Sequence, residues 1–341
     1  MLLSIVVPLY NELEVLPSLL AAIRRTMAGS RDSYEIILVD DGSLDGTVEA
    51  LKEAAASDSH VKALFFSRNF GHQAAITAGL DFASGDAAAV IDADLQDPPE
   101  LLPEMVALLE QGYDIVSAQR ITRSGDGFVK RYTASLFYWI IRKLVDSRIQ
   151  PEVGDFRVFS RRALTALQQL REQHRFMRGM VAWLGLKEAI LPYHRNPRLA
   201  GTTKYSMWKM LRFAWTAISS FSALPLRLSV FFGFFVAACG FGFAAYSVFA
   251  ALVLKATVPG WTSLVVLNII FSGATLIAIG LVGEYVSRIY EEAKGRPLYV
   301  VADRANIQIM GPQVAKAVVL PSICDEPDKT YERAARKANR L

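Results

Sequence analysis

Two cysteines in 341 residues exclude a disulfide framework and a cysteine-based metal cluster; Cys239 sits in an apolar run and Cys324 near the C-terminus. No signal peptide is expected either. Leu2 to Leu9 is apolar, but no basic lead precedes it and Pro8, Asn11 and Glu12 break it, so the polar N-terminal part is expected to stay where it is made. No Gly-x-Gly-x-x-Gly or Walker pattern occurs, which argues against dinucleotide redox chemistry and P-loop hydrolysis. Nucleic-acid modules are absent too, although the net charge is +4. The basic residues gather beside apolar helical stretches (Lys130, Arg131, Arg142, Lys143, Arg195, Arg198, Lys204, Lys209, Arg212), a surface suited to anionic headgroups or a lipid phosphate.

Charge disappears altogether from two stretches. Neither Leu228 to Leu254 nor Pro259 to Gly283 contains a charged residue, and each is long enough to cross a hydrocarbon core as a helix. Transmembrane helices are predicted over 228–254 and 261–283. Their connection carries only Lys255, whereas Arg212, Arg227, Arg288, Lys294 and Arg296 flank the pair, so the positive-inside rule puts both flanks in the cytoplasm. The expected organisation is a polar domain over 1–203, a juxtamembrane amphipathic helix over 204–226, the two-helix region over 227–287 and a tail over 288–341. Aromatic and basic groups alternate over Phe128 to Val145, read either as an interfacial helix or as one packed on the domain. Ser206 to Phe221 leads into the membrane pair and is the better interfacial candidate. The expectation is a multi-pass protein of the cytoplasmic membrane, with its polar domain and C-terminus inside.

The polar domain alternates strand and helix patterns. Strands are predicted at Ser4–Leu9, Tyr34–Val39, Val61–Ser67, Ala87–Ile91 and Asp114–Ala118, with helices over Leu13–Met27, Asp45–Ala56, Gly71–Ala83 and Pro99–Gln111. Alternation of this kind gives an α/β domain with a mainly parallel sheet covered on both faces. Ligands of such sheets bind beyond the carboxyl ends of the strands. Tyr10-Asn11-Glu12, Asp40-Asp41, Arg68-Asn69 and Asp92-Ala93-Asp94 all fall there.

Asp92 and Asp94 are spaced i, i+2 after a strand, so both point at one object, and Gln96 follows at i+4. Hard oxygen donors in that arrangement suit Mg²⁺ or Mn²⁺ with phosphate oxygens completing the shell. A polar turn with Asp97 capping a helix that begins at Pro98-Pro99 is the other reading.

Six motifs in order carry a resemblance. Val7-Pro8-Leu9-Tyr10-Asn11-Glu12, Val39-Asp40-Asp41-Gly42-Ser43 and Asp92-Ala93-Asp94-Leu95-Gln96-Asp97-Pro98-Pro99 resemble family 2 glycosyltransferases of the GT-A fold. Gly154-Asp155-Phe156-Arg157, the stretch Arg198 to Tyr205, and the stretch Gly283 to Tyr290 narrow this to the polyprenyl-phosphate glycosyltransferases, which include dolichol-phosphate mannose synthase, and Phe221 to Arg227 with the paired membrane helices resembles the bactoprenol glucosyltransferases most. The likeness runs from about Leu3 to Val301.

The resemblance implies a metal-dependent, inverting transfer of a sugar from a nucleotide-sugar to undecaprenyl or another polyprenyl phosphate. UDP-glucose is the preferred donor; GDP-mannose, UDP-N-acetyl sugars and UDP-formyl-aminoarabinose are the alternatives. Pro8, Tyr10, Glu12, Val39 and Asp41 are implied to meet the nucleotide. Asp94 and Gln96 are implied to hold the metal, with Asp92 beside them on the nucleotide-sugar or the metal. Arg120 is implied to bind the nucleotide-sugar, and Arg198 and Lys204 would close over its diphosphate from a mobile loop that contains Gly201. Arg131 and Ser135 would hold the lipid phosphate. Tyr132 stands where some relatives carry a second basic residue, which leaves the phosphate-binding cation open by one position. Asp155 is a catalytic candidate beside Asp94, as a base, as a partner of Arg157 or as a group that holds a sugar hydroxyl. His72 and His194 read as structural. Relatives imply a homo-oligomer such as a tetramer. An inactive sugar-nucleotide-binding adaptor is opposed by the intact Asp92, Asp94 and Gln96. A transporter is opposed by charge-free spans.

Overall fold

Ser4 to Leu9 is apolar at nearly every position because its strand is covered on both faces. The computed structural model describes residues 1–121, 150, 153–194, 224–253, 260–307 and 318–319. Its strands are β1 (Leu2–Leu9), β2 (Ser33–Asp40), β3 (Val61–Phe66), β4 (Ala87–Val90), β5 (Ile115–Arg120), β6 (Val153–Ser160), β7 (Glu188–Tyr193), β8 (Val300–Ala305) and β9 (Val318–Val319). They form one sheet in the order β7-β5-β6-β4-β1-β2-β3-β8-β9. β4, β1, β2 and β3 are mutually parallel. β6 runs antiparallel to both β4 and β5, and β8 runs antiparallel to β3.

The helices of this unit are α1 (Leu16–Ala28), α2 (Thr47–Ser57), α3 (His72–Asp81), α4 (Leu102–Glu110) after a 3₁₀ turn at Pro99–Leu101, α5 (Arg161–Gln169) and α6 (Met177–Leu184). α1 buries Leu16, Leu19, Leu20, Ile23 and Met27 at helical spacing. Leu13, placed on that face from sequence, lies before the helix and is exposed, because Pro17 belongs in a first turn and the chain starts helical there. α3 lies close on β1: a Cβ on Gly79 would come within 2.1 Å of Val6 Cγ1. Small residues are what this helix needs.

Sequence periodicity marks β1 to β5; β6, β7 and β8 were not separable from it. The tail expected from residue 288 divides: helix continues to Ala293, and β8 returns to cover the edge of β3. The buried Tyr299 stacks on Phe66 and donates its hydroxyl to Asp81 Oδ2 (2.7 Å), which also takes a bidentate pair from Arg171.

A second unit, over residues 224–253 and 260–295, consists of α7 (Leu224–Leu252) and α8 (Trp261–Ala293). Both are long and apolar enough to cross a membrane, and Phe231, Phe234, Leu276 and Ile279 among others are exposed on them. The stretches 122–149, 195–223 and 308–317 lie outside the described residues, and so do the interfacial helix expected over 128–145 and most of the juxtamembrane segment over 204–226.

At the amino ends of β1, β2 and β3, Glu35 is buried among donors. Its carboxylate accepts from the Ser4 hydroxyl (2.5 Å), the Ser84 N–H (2.9 Å) and hydroxyl (2.8 Å), and pairs with Lys62. Burial opposes the charge, but the Lys62 and Ser4 bonds outweigh it and the carboxyl titrates below its ordinary 4.5. Glu35→Ala is therefore expected to destabilise the protein by about 3 kcal/mol in thermal or denaturant unfolding, since it strands a partly buried Lys62. Because the folded value is depressed, the loss should be complete above pH 4.5 and vanish as pH falls through the folded value.

Candidate active site

The carboxyl edge of β1, β2 and β3 is a laced set of loops. Asn11 takes a left-handed φ of 54°. Its N–H donates to Ser43 Oγ (2.8 Å), and its Oδ1 accepts from the Leu44 N–H (2.9 Å). The Asp40 carboxylate accepts from the Gly42 and Ser43 amides. The Asp41 carboxylate accepts from the amides of Phe70 (2.6 Å) and Gly71 (2.9 Å), which ties the end of β2 to the start of α3. Burial pushes both carboxyls up in pKa. Gly42 is required twice: its φ is +74°, and a Cβ there would lie 2.7 Å from the Arg68 carbonyl carbon. Val39 and Pro8 are buried within their strands, while Tyr10 stands exposed beyond β1.

The reversed strand β6 brings the next residues together. Val90 pairs with Arg157 in an antiparallel register. Two residues further along, Asp92 comes opposite Asp155. His72, the first residue of α3, sits between them, with Nε2 3.6 Å from Asp92 Oδ1 and 3.5 Å from Asp155 Oδ2. Asp155 also accepts from Gln73 Nε2 (3.2 Å) and faces Arg178 Nε at 3.7 Å. Gln73 Oε1 in turn accepts from the Met177 N–H (3.1 Å), which anchors the start of α6. Burial works against a charge on Asp155, but His72, Arg178 and Arg157 outweigh it, so the carboxyl lies well below the usual range. Burial likewise opposes the His72 cation and is outweighed by Asp155, Asp92 and Asp41, so its pKa is raised.

Asp92 is the opposite case. Burial, helped by the charges of Asp155, Asp97 and Asp94, pushes it up to about 6, and its Oδ1 is buried with no hydrogen-bond partner. The His72 ring at 3.6 Å is too far to hydrogen-bond it, so this oxygen has room for a further cation or donor. Asp94 accepts from the Gln96 N–H (3.2 Å) across a turn in which Leu95 has a φ of 53°. Among the described residues no three His, Cys, Asp or Glu side chains converge to hold a metal on their own. A Mg²⁺ or Mn²⁺ that takes one or two carboxylates and shares the rest of its shell with phosphates fits Asp92, Asp94 and Gln96.

Asp97 is not the helix cap that its place before Pro98-Pro99 allowed. Pro98 is extended, no side chain caps the 3₁₀ turn, and the fully buried carboxylate is directed elsewhere. It accepts from the Tyr193 hydroxyl and from Arg120 Nη2 (3.4 Å), and Arg120 Nε donates to the Tyr193 hydroxyl (3.1 Å). The parallel register of β5 and β7 puts Arg120 beside Tyr193. Gly154 leaves the room: a Cβ there would come within 2.7 Å of Arg120 Nη2. The anionic neighbours raise the Arg120 pKa against its burial, and burial with Asp97 raises that of Tyr193.

The structure thus gathers Asp92, Asp94, Asp155 and Arg120 at one edge of the sheet, with Tyr10, Glu12 and Asp41 on the neighbouring loops. Arg131, Ser135, Arg198 and Lys204 lie outside the described residues. His72, read as structural, proves to link two carboxylates. Gln73, Arg178 and Tyr193 carried no motif signal; helix placement reveals the first two and strand register the third.

Residues 4–167 match the model of the glycosyl transferase family 2 domain. An uncharacterized glycosyltransferase of Bacillus subtilis, YkcC, is 43% identical over 89% of this chain and 94% of its own. The chain belongs to glycosyltransferase family 2. The SfII prophage-derived bactoprenol glucosyl transferase of Shigella flexneri is 40% identical over 88% of this chain and 97% of its own. A Synechocystis glycosyltransferase, sll0501, is 42% identical over 90% and 97%. The protein is a glycosyltransferase, and its mostly parallel sheet with a polar carboxyl edge is the GT-A architecture.

In this family 2 site, removing the shared counter-charge should be measurable without substrate. His72→Ala is expected to cost about 1 kcal/mol in unfolding experiments, modest because the ring is half-exposed. Adding Asp92→Asn to His72→Ala should recover most of that loss, and equal costs in both backgrounds would show that the ring does not serve Asp92.

Proposed function

We propose that the protein transfers a sugar, best assigned as glucose from UDP-glucose, onto the phosphate of undecaprenyl or another polyprenyl phosphate at the cytoplasmic membrane face. The observation that carries this reading is the pairing of a cation-seeking carboxylate edge with two exposed helices of membrane length in one chain. The near-full-length similarity to bactoprenol glucosyl transferases supports it. Between α7 and α8 lies an apolar cavity of about 550 Å³, lined by Phe232, Gly233, Phe271 and Ala274 among others, which suits an isoprenoid chain. Both helices are read as spanning the membrane, and the protein as a homo-oligomer.

In this mechanism Tyr10, Glu12 and Asp41 border the nucleotide, and Arg120 binds its diphosphate. Asp94 and Gln96, with Asp92, would hold the divalent cation. When bound, that ion would supply Lewis-acid stabilisation of the charge on the departing nucleoside diphosphate. A phosphate oxygen of the acceptor attacks the anomeric carbon in line, the bond to the diphosphate breaks, and configuration inverts. Asp155, held ionised by His72, Gln73 and Arg178, orients this wall of the site; it is too acidic to be a strong base. Arg131 and Ser135 are assigned to the acceptor phosphate, and Arg198 and Lys204 to closure over the donor diphosphate.

Membranes that contain the protein should transfer label from UDP-glucose to polyprenyl phosphate when Mg²⁺ or Mn²⁺ is present and lose the activity on chelation. A panel of nucleotide-sugars fixes the donor; no transfer from any of them would sink the reading. Asp94→Ala should reduce transfer by roughly a hundredfold at saturating metal, the scale of losing one electrostatic transition-state contact.

A further inference from the structure

Asp97 is a carboxylate with no evident task. It is fully buried at the rim of the site, it caps no helix, and its two oxygens are engaged by Tyr193 and Arg120 rather than open to a ligand. A buried anion is costly unless it secures something. What it secures is the Arg120 guanidinium. Arg120 donates through Nη2 to Asp97 and through Nε to the Tyr193 hydroxyl, and the same hydroxyl donates to Asp97, which closes a ring of three hydrogen bonds. Three strands converge to build that ring: Asp97 follows β4, Arg120 ends β5 and Tyr193 ends β7 beside it. The bare backbone of Gly154, at the start of β6, makes the space. Nη1 has no hydrogen-bond partner among the described residues, and about a quarter of the Arg120 side chain is exposed. A guanidinium held by two of its nitrogens while the third stays available is pre-organised for an anion, since its rotamers are already restricted.

We propose that Asp97 and Tyr193 are positioning residues that clamp Arg120 so that its free edge meets the donor diphosphate, with Gly154 as the necessary gap. This rests on the assignment of Arg120 to the diphosphate. Neither Asp97 nor Tyr193 touches substrate in this scheme; both act through the guanidinium. Tyr193→Phe keeps the ring and removes one of the two bonds that orient Arg120, while Asp97→Asn keeps the shape and removes the charge.

The test is a double-mutant cycle on the full-length, detergent-purified protein, with UDP affinity measured by calorimetry in the presence of Mn²⁺ and with KM and kcat measured separately. Tyr193→Phe should weaken UDP binding and raise donor KM by roughly tenfold, the worth of a hydrogen bond to a charged group, and change kcat less. Arg120→Gln should weaken UDP binding by at least as much. In the Arg120→Gln background, Tyr193→Phe should then add nothing. A tyrosine with a merely structural role would instead lower the melting temperature and the active fraction with KM unmoved, and would do so in both backgrounds; that result overturns the clamp. Arg120→Gln with unchanged UDP affinity would overturn both the clamp and the assignment it rests on. An Arg120→Gln loss with no effect from Tyr193→Phe would overturn the clamp alone. Should Asp97→Asn fail to fold, Tyr193→Phe decides the matter.

Discussion

Like charges crowded at one sheet edge are the constraint on which this structure depends. Asp40, Asp41, Asp92, Asp94, Asp97 and Asp155 all lie at or just beyond the same ends of neighbouring strands. Water cannot screen buried carboxylates, so each needs its own donors. Backbone amides serve Asp40 and Asp41, Tyr193 and Arg120 serve Asp97, and His72, Gln73 and Arg178 serve Asp155. Asp92 keeps one oxygen without a hydrogen bond, and its raised pKa is the electrostatic mark of that shortage. The surplus of negative charge is thus concentrated at Asp92 rather than spread across the edge. A divalent cation would remove it, which supports the proposed grouping of Asp92 with Asp94 and Gln96 around the metal.

The neutralising groups also hold the scaffold. Asp41 fixes the start of α3, and α3 presents His72 and Gln73; Gln73 then anchors α6, which supplies Arg178. One carboxylate after β2 therefore influences the orientation of another at the head of β6, through two helices. Backbone proximity makes this chain of contacts tight: the Gly42 position meets the Arg68 backbone, and Gly154 meets Arg120. The glycines of both motifs are explained by what lies against them.

Much of this was legible in the sequence where local pattern and position coincide. Apolar runs that end in polar clusters mark β1 to β4, and parallel strands then force those clusters to one edge, so Tyr10, Asp41, Asp92 and Asp94 were found together. Asp155 was legible only through a motif. It stands at the beginning of a strand, and only the antiparallel direction of β6 brings a strand's beginning to the site. Arg178 and Tyr193 were out of reach for the same reason: their roles follow from register and helix placement, long-range facts without a local period. β8 was hidden because Val300–Ala305 mixes apolar and charged residues at the edge of the sheet, where burial is one-sided. His72 was read as structural, and the two carboxylates it meets could not be seen from a lone histidine.

The state of the carboxylates bears on the kind of acceptor the site favours. A sugar acceptor with a hydroxyl nucleophile needs a base with a value near the working pH. Asp155 is held far below that range, and Asp97 is locked by Tyr193 and Arg120. Asp92, at about 6, is among the residues proposed for the metal, and a cation bound there would keep it ionised and occupied. A phosphate monoester needs no such help, since with a second pKa of about 6 it arrives as its own nucleophile. Its difficulty is repulsion from the anionic donor, and the remedy for repulsion is fixed positive charge. Arg120 offers such a charge on a rigid mount at the edge where the carboxylates meet. With its acids already committed and Arg120 on a rigid mount, the site supports the proposed anionic acceptor, and two exposed apolar helices in the same chain support one carried on a lipid.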